Sequence, residues 1–178
     1  LPTQNTKKVS TMKFIAAIAV PCIFGFPAFA DVNVKFIEGA PKDTFILTNV
    51  GICELTDVEV TVDLTGSTFG LFFDVTDSGP GVEVFQPFQI VSGQDLLADT
   101  PNVADGDKSV TLPLKTFGQG QTIAFTIDVD DTSGTREITV TNGEIRGATV
   151  TIATSTEKFS GSFDGLSKTS VSIPGCAA

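Results

Sequence analysis

The stretch AFTIDVDDTSG, residues 124–134, carries three aspartates within four positions: Asp128, Asp130 and Asp131. Carboxylate oxygens are the ligands that hard calcium takes, and calcium tolerates irregular geometry. If Ile123, Phe125, Ile127 and Val129 face a core, strand periodicity puts Thr126, Asp128 and Asp130 together on the opposite face, with same-face neighbours about 6.5–7 Å apart. Asp131, past the strand end, can fold back toward Asp130. Asp128, Asp130 and Asp131 are therefore the candidate calcium ligands. Two further acidic turns, Asp74-Val75-Thr76-Asp77 and Asp105-Gly106-Asp107, can add oxygens if the fold brings them to the same end. The competing expectation is a solvated strand end. Two exposed carboxylates about 6.5 Å apart repel by only roughly 0.6 kcal/mol in water, and aspartates at a strand terminus also suit Asx turns. The EF-hand spacing is absent. Burial decides between the two.

Composition removes most other chemistry. The chain has no His, Trp or Tyr. A Ser-His-Asp triad, a Cys-His pair and a histidine-based zinc site are thereby excluded, and the expectation is a protein that is not an enzyme. A carboxylate-dependent hydrolase is the one catalytic alternative, since two acids suffice for glycoside cleavage. Phe is the only aromatic, and Phe72, Phe85 and Phe125 stand at apolar strand positions where core packing is expected.

The elements that must position these residues begin after a leader. Met12-Lys13, the apolar run FIAAIAVPCIFGFP and Ala28-Phe29-Ala30 form the charged, apolar and A-x-A parts of a secretory signal peptide. Met12 is the expected start and cleavage is expected after Ala30, so residues 1–30 are extension and leader and 31–178 one β-sandwich domain. The apolar stretch is short for a membrane span and interrupted by Pro21 and Pro27. No transmembrane helix is expected in the mature chain, and secretion leaves periplasmic, extracellular and cell-surface locations open. Without Lys7, Lys8 and Lys13, eight basic residues face 21 acidic ones, a formal charge of −13. Nucleic acid is then an unsuitable partner, because its phosphates demand a basic face. Cys53 and Cys176 remain, in a compartment that permits a disulfide between them. Such a bridge closes a loop of roughly 120 residues and contributes about 5 kcal/mol by chain entropy, less any strain.

Period-two alternation recurs throughout. Residues 32–36, 45–49, 55–64, 68–75, 82–91, 109–115, 122–129, 137–141, 148–154, 158–163 and 169–173 all read as short strands. Turn residues punctuate them, and Asn142-Gly143 is the strongest hairpin signal because it suits a type I′ turn. Pro87 cannot donate to a ladder, which predicts an edge or bulge there. Residues 92–108 predict an irregular crossover anchored by Leu96-Leu97. Lys42-Asp43 and Arg136-Glu137 read as solvated strand-end pairs. About 9–11 short strands without an amphipathic helix predict an all-β chain, a single antiparallel β-sandwich.

Four segments, VKFIEGAPKDTFILTN (34–49), FDVTDSGPGVEVFQPFQIVSG (73–93), FTIDVDDT (125–132) and IPGC (173–176), make the chain resemble small secreted bacterial proteins labelled "aggregation factor core". FILTNVGICELTDVEVTVDL (45–64) is similar to the hairpin of immunoglobulin-like bacterial surface modules. The resemblance implies an adhesion-like extracellular protein of immunoglobulin-like fold and implies no catalytic residues. The expected function is that of a secreted, non-enzymatic interaction protein that binds a surface or matrix protein, a glycan or another copy of itself, with calcium as the candidate stabilising ion. The alternative is an extracellular module that binds a glycan or small ligand through a concave face with convergent polar groups; the hydrolase ranks below both.

Overall fold

The computed structural model describes residues 29–76, 84–132 and 140–175, together with Pro2. The expected leader falls almost wholly outside them. Ten strands are described: β1 (Phe29–Ile37), β2 (Asp43–Asn49), β3 (Leu55–Asp63), β4 (Phe72–Asp74), β5 (Gln89–Ser92), β6 (Ser109–Phe117), β7 (Thr122–Asp130), β8 (Thr149–Ala153), β9 (Lys158–Ser162) and β10 (Lys168–Pro174). The only helical element among the described residues is a 3-10 turn at Gln94–Leu96. The chain is all-β, and no helix among those residues is long and apolar enough to cross a membrane.

All strand pairings are antiparallel and form two sheets. One runs β10-β1-β2-β7-β4, with β5 also on β7; the other runs β6-β3-β8-β9. Alternation explains which side of each strand is buried. Val32, Val34 and Phe36 of β1, Phe45 and Leu47 of β2, and Val171 and Ile173 of β10 join one apolar cluster with Val58, Val60 and Val62 of β3 and Leu112 and Leu114 of β6. Phe45 lies at its centre, its ring 4.9 Å from that of Phe125 and 5.1 Å from that of Phe36. Full burial of such side chains contributes about 1.5–3 kcal/mol each, which is what holds the two sheets' inner faces out of water.

The pattern breaks at identifiable places. Leu55 and Val58 are three residues apart yet both buried, and the intervening Asp57 has φ 48, a left-handed conformation that turns the strand between them. Leu96 and Leu97 are buried, and Leu97 bridges to Leu114, so the 92–108 segment is anchored as its sequence suggests. Of the segment 82–91, the described residues 84–91 form a strand only from Gln89, past Pro87, and its register shifts between Ile90 and Ser92. The segment 68–75 is a strand only over Phe72–Asp74.

Asn142-Gly143 departs from the hairpin expectation. The Glu144 N–H bonds the Thr141 carbonyl at 3.0 Å, closing a turn, but a second turn from Ile145 to Ala148 follows at once. Neither Asn142 nor Gly143 adopts a positive φ, so the geometry is not type I′, which needs positive φ at both central residues. The turn's local signal was real, but the flanking residues join other partners: Thr68 donates to the Glu144 and Arg146 carbonyls.

Candidate metal centre

β7 is an interior strand, and that fact sets the chemistry of its far end. β2 covers one edge. Along the other edge two short strands lie end to end: β5 pairs with Ala124–Thr126 and β4 with Asp128–Asp130. Asp74 of β4 stands directly opposite Asp128, so the two side chains share a face. Asp74, Asp128 and Asp130 are 1 %, 6 % and 6 % exposed. Each offers a carboxylate oxygen, and these oxygens all lie within 4.8 Å of one another. The face that alternation assigned to the aspartates is therefore buried, not wetted. At an effective dielectric of about 20, one ionised pair at that separation repels by roughly 3.5 kcal/mol, against about 0.9 in water. Protons or a cation must offset such a cluster.

Gln86 closes the site between β4 and β5. Its Nε2 donates to Asp128 Oδ2 at 2.8 Å. The residue is 6 % exposed, and its carbonyl oxygen Oε1 is buried with no hydrogen-bond partner among the described residues. A buried amide oxygen without a partner is costly, and it belongs to a side chain tied to Asp128, where three carboxylates offer oxygens of the kind a hard cation takes.

Two more aspartates surround the trio. Asp43, 2 % exposed, accepts N–H bonds from Gly39 (3.0 Å) and Val129 (3.1 Å). Burial pushes its carboxyl up to about 7, with the Asp128 charge adding to the rise and the two N–H donors opposing it. Lys42-Asp43 is thus not a solvated pair: Asp43 is inside, while Lys42 reaches the Pro87 carbonyl and Gln89 Oε1. Asp128 is likewise pushed up to about 7, first by burial and then by Asp130 and Asp74. Asp105 behaves oppositely. N–H bonds from Val75 and Thr76 and a side-chain hydrogen bond with Asp74 hold its carboxyl below the usual carboxylate range.

The structure therefore brings together Asp128 and Asp130 and adds Asp74, with Asp105 alongside. Asp131 lies beyond β7, is part-exposed and is not a member of the trio. Asp107 is exposed and accepts from the Ala104 N–H, while Asp77 and the Arg136-Glu137 pair lie outside the described residues. Gln86 and Asp43 carry no signal in the sequence, because only the lateral order of strands puts them beside β7. Cys53 is 3 % exposed, and its expected bridge to Cys176 reaches outside the described residues. Phe72 and Phe125 are buried as expected, but Phe85 is 69 % exposed: it precedes β5, in the segment whose inward residue is Gln86. Comparison with protein-family models, with curated proteins and with solved structures finds no match.

Proposed function

We propose that this chain is a secreted, non-catalytic interaction protein, an adhesion-like or aggregation-factor-like module of immunoglobulin-like sandwich architecture, in which calcium organises one end. The observation that carries the reading is the buried trio Asp74, Asp128 and Asp130, with the buried Gln86 amide hydrogen-bonded to Asp128. Calcium binds oxygen at about 2.3–2.6 Å, so oxygens on opposite sides of one ion stand up to about 5.2 Å apart, while magnesium at about 2.0–2.1 Å demands near-ideal octahedral geometry and gives up its waters reluctantly. Carboxylate oxygens that all lie within 4.8 Å of one another are close enough to share one such ion. A hydrolase fits less well, because a substrate must reach between its two acids and these acids are at most 6 % exposed.

The leader pattern supports secretion, and a Cys53–Cys176 bridge belongs to the same reading. Val50 and Gly51 donate to the Asp31 carbonyl, and Asp31 pairs with Ser172, so the loop holding Cys53 and the end of β10 flank the same end of β1. β1 pairs with β10 from Phe29 onward, so cleavage after Ala30 trims two residues from its ladder. Val84 and Phe85, exposed beside the Gln86 contact, give the module apolar surface next to the cation site.

The test is a thermal melt in EDTA and then with calcium at about 1–5 mM, a range that fills an extracellular-grade site. Calcium raises the melting temperature by several degrees, magnesium does not match it, Asp74→Asn removes the rise and Asp131→Asn keeps it. A calcium-independent melt sinks the proposal, and loss of the rise in Asp131→Asn but not in Asp74→Asn overturns the ligand set.

A further inference from the structure

The outer face of the sheet at β10-β1-β2 carries a groove unrelated to the acidic end. Strand register builds it as two rows across three strands. In the first, Lys35 stands directly opposite Lys168 on one side and Ile46 on the other; in the second, Asn33 stands between Ser170 and Thr48. These residues line a cavity of about 520 Å³, within the range that holds a small organic ligand. Like charges directly opposite in a ladder are destabilising, yet two of the chain's 11 basic residues are paired this way in a protein of formal charge −10. Neither ammonium makes a hydrogen bond or salt bridge to any described residue. The one acidic group at the rim, Asp164, is committed to the Leu166 and Lys168 N–H groups, and its carboxyl is held below the usual range by those two bonds, with the Lys168 charge assisting.

We infer that this groove binds an acidic sugar, its carboxylate between Lys35 and Lys168, its hydroxyls on Asn33 and Ser170 and its apolar ring face on Ile46. Two rotatable ammonium donors suit a carboxylate. Asn and Ser side chains both donate and accept, as sugar hydroxyls require. The part-buried Ile46 offers apolar contact that does not depend on Trp or Tyr. The groove is independent of the cation site, which lies at the β4 side of the sheet while the groove lies at β10 and β1.

The experiment is an amide NMR titration of the protein with D-glucuronate in EDTA, so that no cation bridges the sugar to the acidic end. Glucose serves as the neutral-sugar arm and acetate as the bare-carboxylate arm. Glucuronate shifts the amides of residues 33–35, 46–48 and 168–170 with millimolar affinity, at least about tenfold tighter than either control. Lys35→Gln and Lys168→Gln, both at exposed positions, keep the fold and each weaken glucuronate by about tenfold. Absence of shifts in the groove, equal binding of acetate, equal binding of glucose, or full affinity in both variants each overturns the inference.

Discussion

Raising the pH of the cation-free protein across the neutral range destabilises it, and the buried carboxyls set the size of the effect. Asp43 and Asp128 hold their protons to about pH 7 in the fold and release them near 3.8 when unfolded. Folding therefore takes up protons between those values, so stability is greatest on the acid side of the window and is lost as pH rises through the folded pKa. Each tenfold change in proton activity is worth about 1.4 kcal/mol per group, so one such carboxyl loses about 3 kcal/mol between about pH 5 and pH 8. Asp43 and Asp128 repel each other, hence they titrate as a pair and their combined effect is less than double. At roughly 2–4 °C per kcal/mol for a chain of this size, melting in EDTA should fall by about 5–10 °C from about pH 5 to pH 8. The groups with lowered pKa, Asp105 and Asp164, contribute stability above the ordinary carboxylate range and lose it only in stronger acid, outside the window. The assay is a series of circular-dichroism melts at constant ionic strength. With the proposed site filled, calcium at about 5 mM should flatten the curve in part: it takes the place of the Asp128 proton, whereas Asp43 is outside the proposed ligand set. A melting temperature that stays level or rises with pH in EDTA refutes the burial of these acids.

Two structural predictions accompany it. At Gly161 in β9 an added Cβ would sit 2.5 Å from the Ser170 carbonyl oxygen and 2.6 Å from Thr169 Oγ1 of β10, so Gly161→Ala costs about 1–3 kcal/mol by forcing strands apart, whereas Gly165→Ala, with nothing within 4 Å, leaves a urea midpoint unchanged. Asn49, fully buried, donates from Nδ2 to the Cys53 and Phe117 carbonyls at 2.8 and 2.6 Å; Asn49→Asp sets a carboxylate against both and costs roughly 2–4 kcal/mol, seen as a lower melting temperature that partly recovers in acid.

Most of the fold was legible because β periodicity is a local property. Val32, Val34 and Phe36, or Val58, Val60 and Val62, announce their strand and its inward face without reference to anything distant. Where strands were misjudged, a distant partner intervened. The 68–75 segment shortens to Phe72–Asp74 because the residues before it turn: the Gly70 N–H bonds the Ser67 carbonyl, Gly70 has φ 68, and Thr68 bonds the distant Glu144 and Arg146 carbonyls. Asn142-Gly143 makes a turn, and among the described residues around it no hairpin forms, since the residues after it bond Thr68.

The acidic end was half visible. Period two already put Asp128 and Asp130 on one side of β7, and composition already left oxygen as the available ligand type. Whether that side was wet, and which third carboxylate joined it, depended on the lateral order of strands: Asp74 is 54 positions from Asp128 in the chain yet directly opposite it in the sheet, while Asp131, three positions away, is left outside the trio. Alternation assigns a residue to a face, but the dielectric around its charge comes from what the rest of the chain lays over that face. Here β4 sets Asp74 opposite Asp128 and Gln86 reaches onto Asp128, which turns a weak repulsion in water into one that protons or a cation must offset.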